Sequence, residues 1–207
     1  MLSNYKMAVF SFICLMSFYC TDKTPVVSKP VINLTKTHGK AQEALQFCKN
    51  KKYNTSFCIL IDMELHSGVN RFIVWDFEKD TIEHSCLVSH GCCDNPWSYD
   101  FSRENANFSS VEGSHCTALG KYKIGERGVS SWGIKVKYLM HGLESGNNNA
   151  LARQIVFHYW DDISESEVYP DGTPEGWGCP AISNKDMRLI DKKLKQATKP
   201  VLMWIYN

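Results

Sequence analysis

Charge of one sign is missing from this chain: 23 Lys and Arg stand against 22 Asp and Glu, a net charge of +1 over 207 residues, and there is no basic run. Without one the surface has no stripe of cations to neutralise a phosphate backbone, so nucleic acid is excluded as an expected partner. The N-terminus also lacks an apolar stretch of membrane-spanning length. Lys6 precedes Met7-Ala8-Val9-Phe10-Ser11-Phe12-Ile13-Cys14-Leu15-Met16. That core has signal-peptide length and falls well short of the ~20 residues a spanning helix needs. No internal repeat and no break in composition marks a second domain. The expected organisation is a signal peptide over 1–20, a tether over 21–37 and one domain over 38–207. Nothing in the pattern reports an oligomeric state.

What the chain has in quantity is cysteine, nine in all. Export to an oxidising compartment predicts that most of them are paired or buried. Cys20 follows the apolar core and precedes the polar Thr21-Asp22-Lys23, the placement of a lipidated cysteine, although Ser17-Phe18-Tyr19 is a poor lipobox. Lipid anchoring at Cys20 and plain cleavage nearby both stay open. The stretch Thr24 to Thr37 is rich in Pro, Val, Ser and Thr without apolar periodicity and reads as a tether. Cys48 and Cys58 flank a polar loop and can close a local disulfide. The connectivity of Cys86, Cys92, Cys93 and Cys116 is not legible from spacing.

Secondary-structure signals are mainly β. After a helical pattern over Lys40 to Lys49, runs of β-branched and aromatic residues predict strands over Phe57 to Met63, Arg71 to Phe77, Thr81 to Ser89, Ile134 to His141 and Gln154 to His158, and again over Pro200 to Tyr206. The polar segment Asp94 to Gly113 predicts an exposed loop or lid. A helix starts after Ser183, with Asp186 at capping-box distance and Met187, Ile190, Leu194 and Ala197 on one face.

Two chemical groups stand out in the C-terminal half. His158 closes the apolar strand Gln154 to His158, and Cys179 sits in the tight turn Gly178-Cys179-Pro180. A thiol is a weak nucleophile at its free pKa, so acyl chemistry requires an imidazole to take its proton and amides to hold the resulting oxyanion. His158 as base, Cys179 as nucleophile, and the amides of Gly178 and Cys179 as oxyanion hole satisfy that requirement. The competing structural reading makes Cys179 a small apolar residue in a turn and His158 a core histidine held by a backbone carbonyl. His before Cys is the reverse of papain-like order.

The motif Gly176-Trp177-Gly178-Cys179-Pro180-Ala181-Ile182 resembles the L,D-transpeptidase catalytic-domain family of cell-wall enzymes, in the branch whose motif reads Ser-Trp-Gly-Cys-Pro-Ala-Val. Further matches are Ser67-Gly68 with Arg71, Val88-Ser89-His90-Gly91, Leu119-Gly120-Lys121-Tyr122, and His141-Gly142-Leu143-Glu144 with Asn148 and Arg153. The resemblance covers roughly residues 56 to 206 and implies a β-sandwich-like, mainly β catalytic domain. It implies a thioacyl-enzyme on peptidoglycan stem peptides, attacked by an amine to cross-link or by water to act as an L,D-carboxypeptidase, with acylation by carbapenems. It also implies a bacterial cell-envelope location and a reaction without metal or organic cofactor. His141, Asn148, Arg153 and Trp177 become candidate substrate contacts. Two positions depart from the pattern: Gly176 lacks the usual hydroxyl, and Tyr159 replaces a glycine, which predicts a bulky ring at the mouth of the site. The rival they motivate is a silent wall-binding lipoprotein of the same fold.

The donors His84, Cys86, His90, Cys92, Cys93, His115 and Cys116 raise zinc as a separate chemistry. Alternation places His84, Cys86, His90 and Cys92 on one strand face. Four collinear residues cannot all reach one tetrahedral ion, and the spacing matches no usual zinc knuckle, so no metal is expected.

Overall fold

The computed structural model describes residues 28–93, 107–131 and 134–207. The expected signal peptide over 1–20, with Cys20, and residues 94–106 of the polar segment lie outside the described residues. Helix α1 (Leu34–Lys51) begins with the Asn33 side chain accepting from the Lys36 amide. Residues 34–37, placed in the tether on composition, are therefore its first turn, because the Asn33 cap starts the helix there and Thr37 is already buried on its packed face. The helix buries Thr37, Ala41, Ala44 and Cys48 on one face.

Eight strands follow: β1 (Phe57–Asp62), β2 (Phe72–Asp76), β3 (Thr81–Cys86), β4 (Gly120–Gly128), β5 (Lys137–Gly142), β6 (Val156–Tyr159), β7 (Ala181–Ile182) and β8 (Val201–Tyr206), with helix α2 (Asn184–Gln196) between β7 and β8. They form one sheet in the order β3-β2-β1-β8-β4-β5-β6-β7. The mainly β expectation and the capped helix after Ser183 hold. Strand β4 has no sequence signal of its own: Gly120-Lys121-Tyr122-Lys123-Ile124-Gly125-Glu126-Arg127-Gly128 is rich in glycine and charge. Its place comes from antiparallel ladders to β5 on one side and β8 on the other.

The sheet is curled into a near-barrel. Phe72 on β2 stacks on Phe157 of β6 with ring centroids 5.6 Å apart, although four strands, β1, β8, β4 and β5, lie between them in the ladder order. One core takes inward residues from every strand together with Met187, Ile190 and Leu194 of α2. The outer face of β1, β2 and β8 is covered by α1, which buries Trp75, Leu202 and Tyr206. Each face of this part of the sheet thus has an apolar layer against it, which is why β1 and β8 read as continuous apolar runs.

The curl brings the chain after β3 alongside the chain around β7. Ser89 N donates to Ala181 O at 2.9 Å, Gly176 N to His90 O at 2.8 Å and Cys92 N to Gly176 O at 2.8 Å. This seam suspends the Cys179 turn from residues 89–92. Arg71, fully buried, anchors the seam from behind. Its guanidinium donates to Val88 O and Leu65 O and contacts His90 Nδ1, and His90 Nε2 lies 3.3 Å from Glu175.

The cysteines differ from the spacing-based expectation. Cys48 and Cys58 are free and buried, because one is on the α1 face and the other on β1, each filling the layer between helix and sheet. The bridge joins Cys93 to Cys116, tying the end of the seam to the strand-entry segment before β4.

Candidate active site on the outer face of the β6 strand

Val156 and His158 point to the outer face of β6, while Phe157 and Tyr159 point into the core. Cys179 enters β7, the parallel neighbour of β6, where His158 pairs with Ala181. The Val156 amide donates to Cys179 Sγ at 3.4 Å, and the thiol in turn faces Gln154 O at 3.9 Å. The sulfur therefore lies against the strand that carries the imidazole, one outward position away from it. Cys179 and His158 thus come from the parallel β6–β7 pair, with the sulfur against the amide two residues before the histidine.

His158 Nδ1 lies 2.7 Å from Tyr159 O. A carbonyl only accepts, so Nδ1 carries the proton and Nε2 keeps its lone pair, the tautomer a base requires. Burial lowers the His158 pKa, the bond to Tyr159 O opposes this, and the Lys137 charge adds to the lowering. The ring is thus neutral at pH 7. Burial raises the Cys179 pKa, opposed by the Val156 amide and by the charges of Arg153 and Lys137. Both directions favour the uncharged forms, a thiol and a neutral imidazole. Because protonation of His158 is disfavoured in the folded state, the associated stability is full above the ordinary histidine pKa and is lost as pH falls below it, whereas base activity persists until the lowered pKa of the folded protein is reached. We expect kcat/KM to show an acid limb with a midpoint below about 6.5. A midpoint above 7 in a pH-rate profile would contradict this assignment.

Tyr159 does not stand at the mouth of the site. Its side chain is buried in the core, since alternation along β6 turns it away from His158, and its contribution to the site is the backbone carbonyl that sets the tautomer. Gly176 is bridged to Gly91, and a Cβ there would meet only Trp160 Cζ3 at 3.7 Å. The site thus has room for the hydroxyl this chain lacks. Gly176→Ser should change stability by no more than about 0.5 kcal/mol, measured by chemical denaturation; a loss above about 2 kcal/mol would show that the turn rejects a side chain.

Cys179 is held by groups that sequence reasoning did not single out. Ser89 Oγ contacts Cys179 O at 3.5 Å and accepts from Ala181 N at 3.1 Å, and Thr117 Oγ1 donates to Gly178 O at 3.5 Å. Ser89 lies inside the Val-Ser-His-Gly motif, which was its one signal. Lys137 faces His158 across the β5–β6 ladder and, with Ser130, Leu139, Leu151, Gln154 and Val156, lines a cavity of about 350 Å³. Only the strand register, invisible before the fold, brings that lysine to the site.

The remaining candidates divide. Trp177 is 58% exposed and stacks on His115 with centroids 4.8 Å apart, beside the turn. Arg153 is engaged by the protein: its guanidinium donates to Ser109 O, Ser114 Oγ and Cys116 O, pinning the described end of the polar segment. His141 shares the outer face of β5 but pairs with Glu126 at 3.2 Å. Asn148 is exposed, while its neighbour Asn147 is the buried one that braces the turn through Lys121 O and Glu144 N. Of the potential zinc donors, His84 and Cys86 come together with Asp186, whereas His90 joins Arg71 and Glu175, and Cys93 and Cys116 are spent on the disulfide.

A curled, mainly β domain with a cysteine turn hung beside a histidine strand defines the class, and the sequence comparison agrees with it. Residues 29–206 match the family model of the L,D-transpeptidase catalytic domain, and the chain belongs to that family. No curated protein matches the sequence significantly. Among solved structures, the helical cell shape determining protein Pgp2 from Campylobacter jejuni aligns with 14% identity and a TM-score of 0.44, covering 82% of this chain and 56% of that one. An L,D-transpeptidase fragment from Xylanimonas cellulosilytica aligns with 12% identity and a TM-score of 0.40, covering 78% and 68%. The chain spans little more than half the length of the Pgp2 chain it matches.

Proposed function

We propose that this protein is an exported, envelope-bound acyltransferase that uses Cys179 to cleave an L-centre to D-residue bond in peptidoglycan stem peptides. Family membership supports the peptidoglycan-related, L,D-transpeptidase-type activity. The observation that carries the chemistry is the tautomer of His158: with Nδ1 committed to Tyr159 O, Nε2 is the free acceptor on the face where the Cys179 sulfur lies. As the thiol attacks the carbonyl, His158 takes its proton, and the amides around Gly178 and Cys179 stabilise the oxyanion. The tetrahedral adduct collapses to a thioester, and His158 returns the proton to the departing D-residue amine. Lys137 in the adjoining cavity offers a substrate carboxylate a cationic partner. A side-chain amine of a second stem, or water, then releases the acyl group. Cys20 acylation would hold the enzyme at the membrane, close to its polymer.

Intact-mass spectrometry with a tetrapeptide stem tests this reading. We expect an acyl adduct that maps to the Cys179 peptide, and products that contain a cross-link when an amine donor is present and only tripeptide when it is not. A folded protein that forms no adduct but retains stem peptide would instead support the silent wall-binding lipoprotein.

A further inference from the structure

The seam that closes the near-barrel carries a second cluster of chemically capable side chains, away from the cysteine turn. His84 and Cys86 project from the same face of edge strand β3, two residues apart, and Asp186 reaches them from the first turn of α2. One donor atom from each lies within 4.8 Å of the other two. His84 Nε2 is 2.8 Å from Asp186 Oδ1, and the other carboxylate oxygen is held by Ser183 Oγ, which also accepts the Asp186 amide as the helix cap. The carboxylate is therefore oriented independently of the histidine.

We propose that His84, Cys86 and Asp186 form a binding site for a divalent cation of the zinc type, stapling β3 to α2 across the seam. Nitrogen, sulfur and oxygen donors are the ligand set zinc accepts, and three protein ligands leave a fourth position for water. His84 keeps a quarter of its side chain exposed, which gives an ion and its water a path of entry. Charge also argues for it. Cys86 and Asp186 are both buried, so two anions side by side there need a counter-charge. A dication with one thiolate, one carboxylate and one neutral imidazole is electroneutral, which suits a position at the edge of the core. On binding, Cys86 releases its proton to solvent, and His84 shifts its proton from Nε2 to Nδ1 so that Nε2 can ligate. The expectation of no metal rested on four collinear strand residues; the third donor here comes from a helix a hundred residues away in sequence.

Chelator-treated full chain titrated with Zn²⁺ and with Co²⁺ tests the site. The expected result is about one ion per chain by elemental analysis, a thiolate-to-cobalt charge-transfer band, and a zinc-dependent rise in melting temperature. Cys86→Ser should abolish the charge-transfer band, and His84→Gln and Asp186→Asn should each weaken binding by at least about tenfold. Circular dichroism confirms that each variant is folded. Wild-type protein that takes up no stoichiometric metal or shows no sulfur band overturns the proposal, whatever the variants do. So does a band that survives in Cys86→Ser, since another thiol would then be the ligand. Neither result bears on Cys179, whose acylation is read separately.

Discussion

Replacing Cys179 by alanine should eliminate acyl-enzyme formation and lower turnover of a tetrapeptide stem by at least about 10³-fold, with the fold retained. The sulfur meets the Val156 amide on the strand that carries His158, and among the described residues no other thiol is so placed. Cys48, Cys58 and Cys86 also carry thiols outside the disulfide, but all three are buried, as is Cys92, whereas Cys179 is only partly buried. Loss of the sulfur costs one weak hydrogen bond at a partly exposed site, about 1 kcal/mol, so the melting temperature should move by only a few degrees. Mass spectrometry after incubation with stem peptide, beside a thermal melt, separates the two effects. Persistent acylation of a folded Cys179→Ala protein would remove this residue from the mechanism.

A second large effect is expected one residue earlier. Gly178 has φ of +94°, and a Cβ there would fall 2.4 Å from Cys116 O and 3.0 Å from Cys116 C. That backbone has little freedom to retreat. Arg153 donates to the same carbonyl at 2.8 Å, and Cys116 is bridged to Cys93. Gly178→Ala must therefore open the turn, at a cost of about 2–4 kcal/mol from the disfavoured φ and the overlap together. The melting temperature should fall by roughly 5 °C or more, and acylation should drop further than stability, because the Gly178 and Cys179 amides are displaced from the oxyanion. An alanine variant that melts and turns over like the parent would show that the turn is not a rigid oxyanion site.

These two residues also show where the sequence was readable. A cysteine between glycine and proline, downstream of a histidine at the end of an apolar strand, is a local arrangement, and local arrangements are written in neighbouring residues. The same holds for α2, whose Ser183 cap and apolar stripe lie within a few turns of one another. Tyr159 is next to His158 in sequence but not in the site, because a strand sends neighbours to opposite faces. The carbonyls that occupy Arg153 belong to a segment, Ser109 to Cys116, some forty residues away, so its sequence neighbourhood does not reveal them.

By itself, then, the sequence determined the mainly β class and the positions of most strands and of α2, and it singled out Cys179 and His158 as the candidate pair. Only the tertiary structure decided which cysteines pair, that β4 is a strand, that Lys137 stands beside His158, that His90 serves Arg71 and Glu175, and that Asp186 joins His84 and Cys86. The reason is physical: periodicity and turn chemistry are short-range and survive in the linear chain. Curling the sheet until β3 meets β7 and α2 is a long-range closure, driven by apolar burial from every strand, and the side chains it brings together carry no record of one another in the sequence.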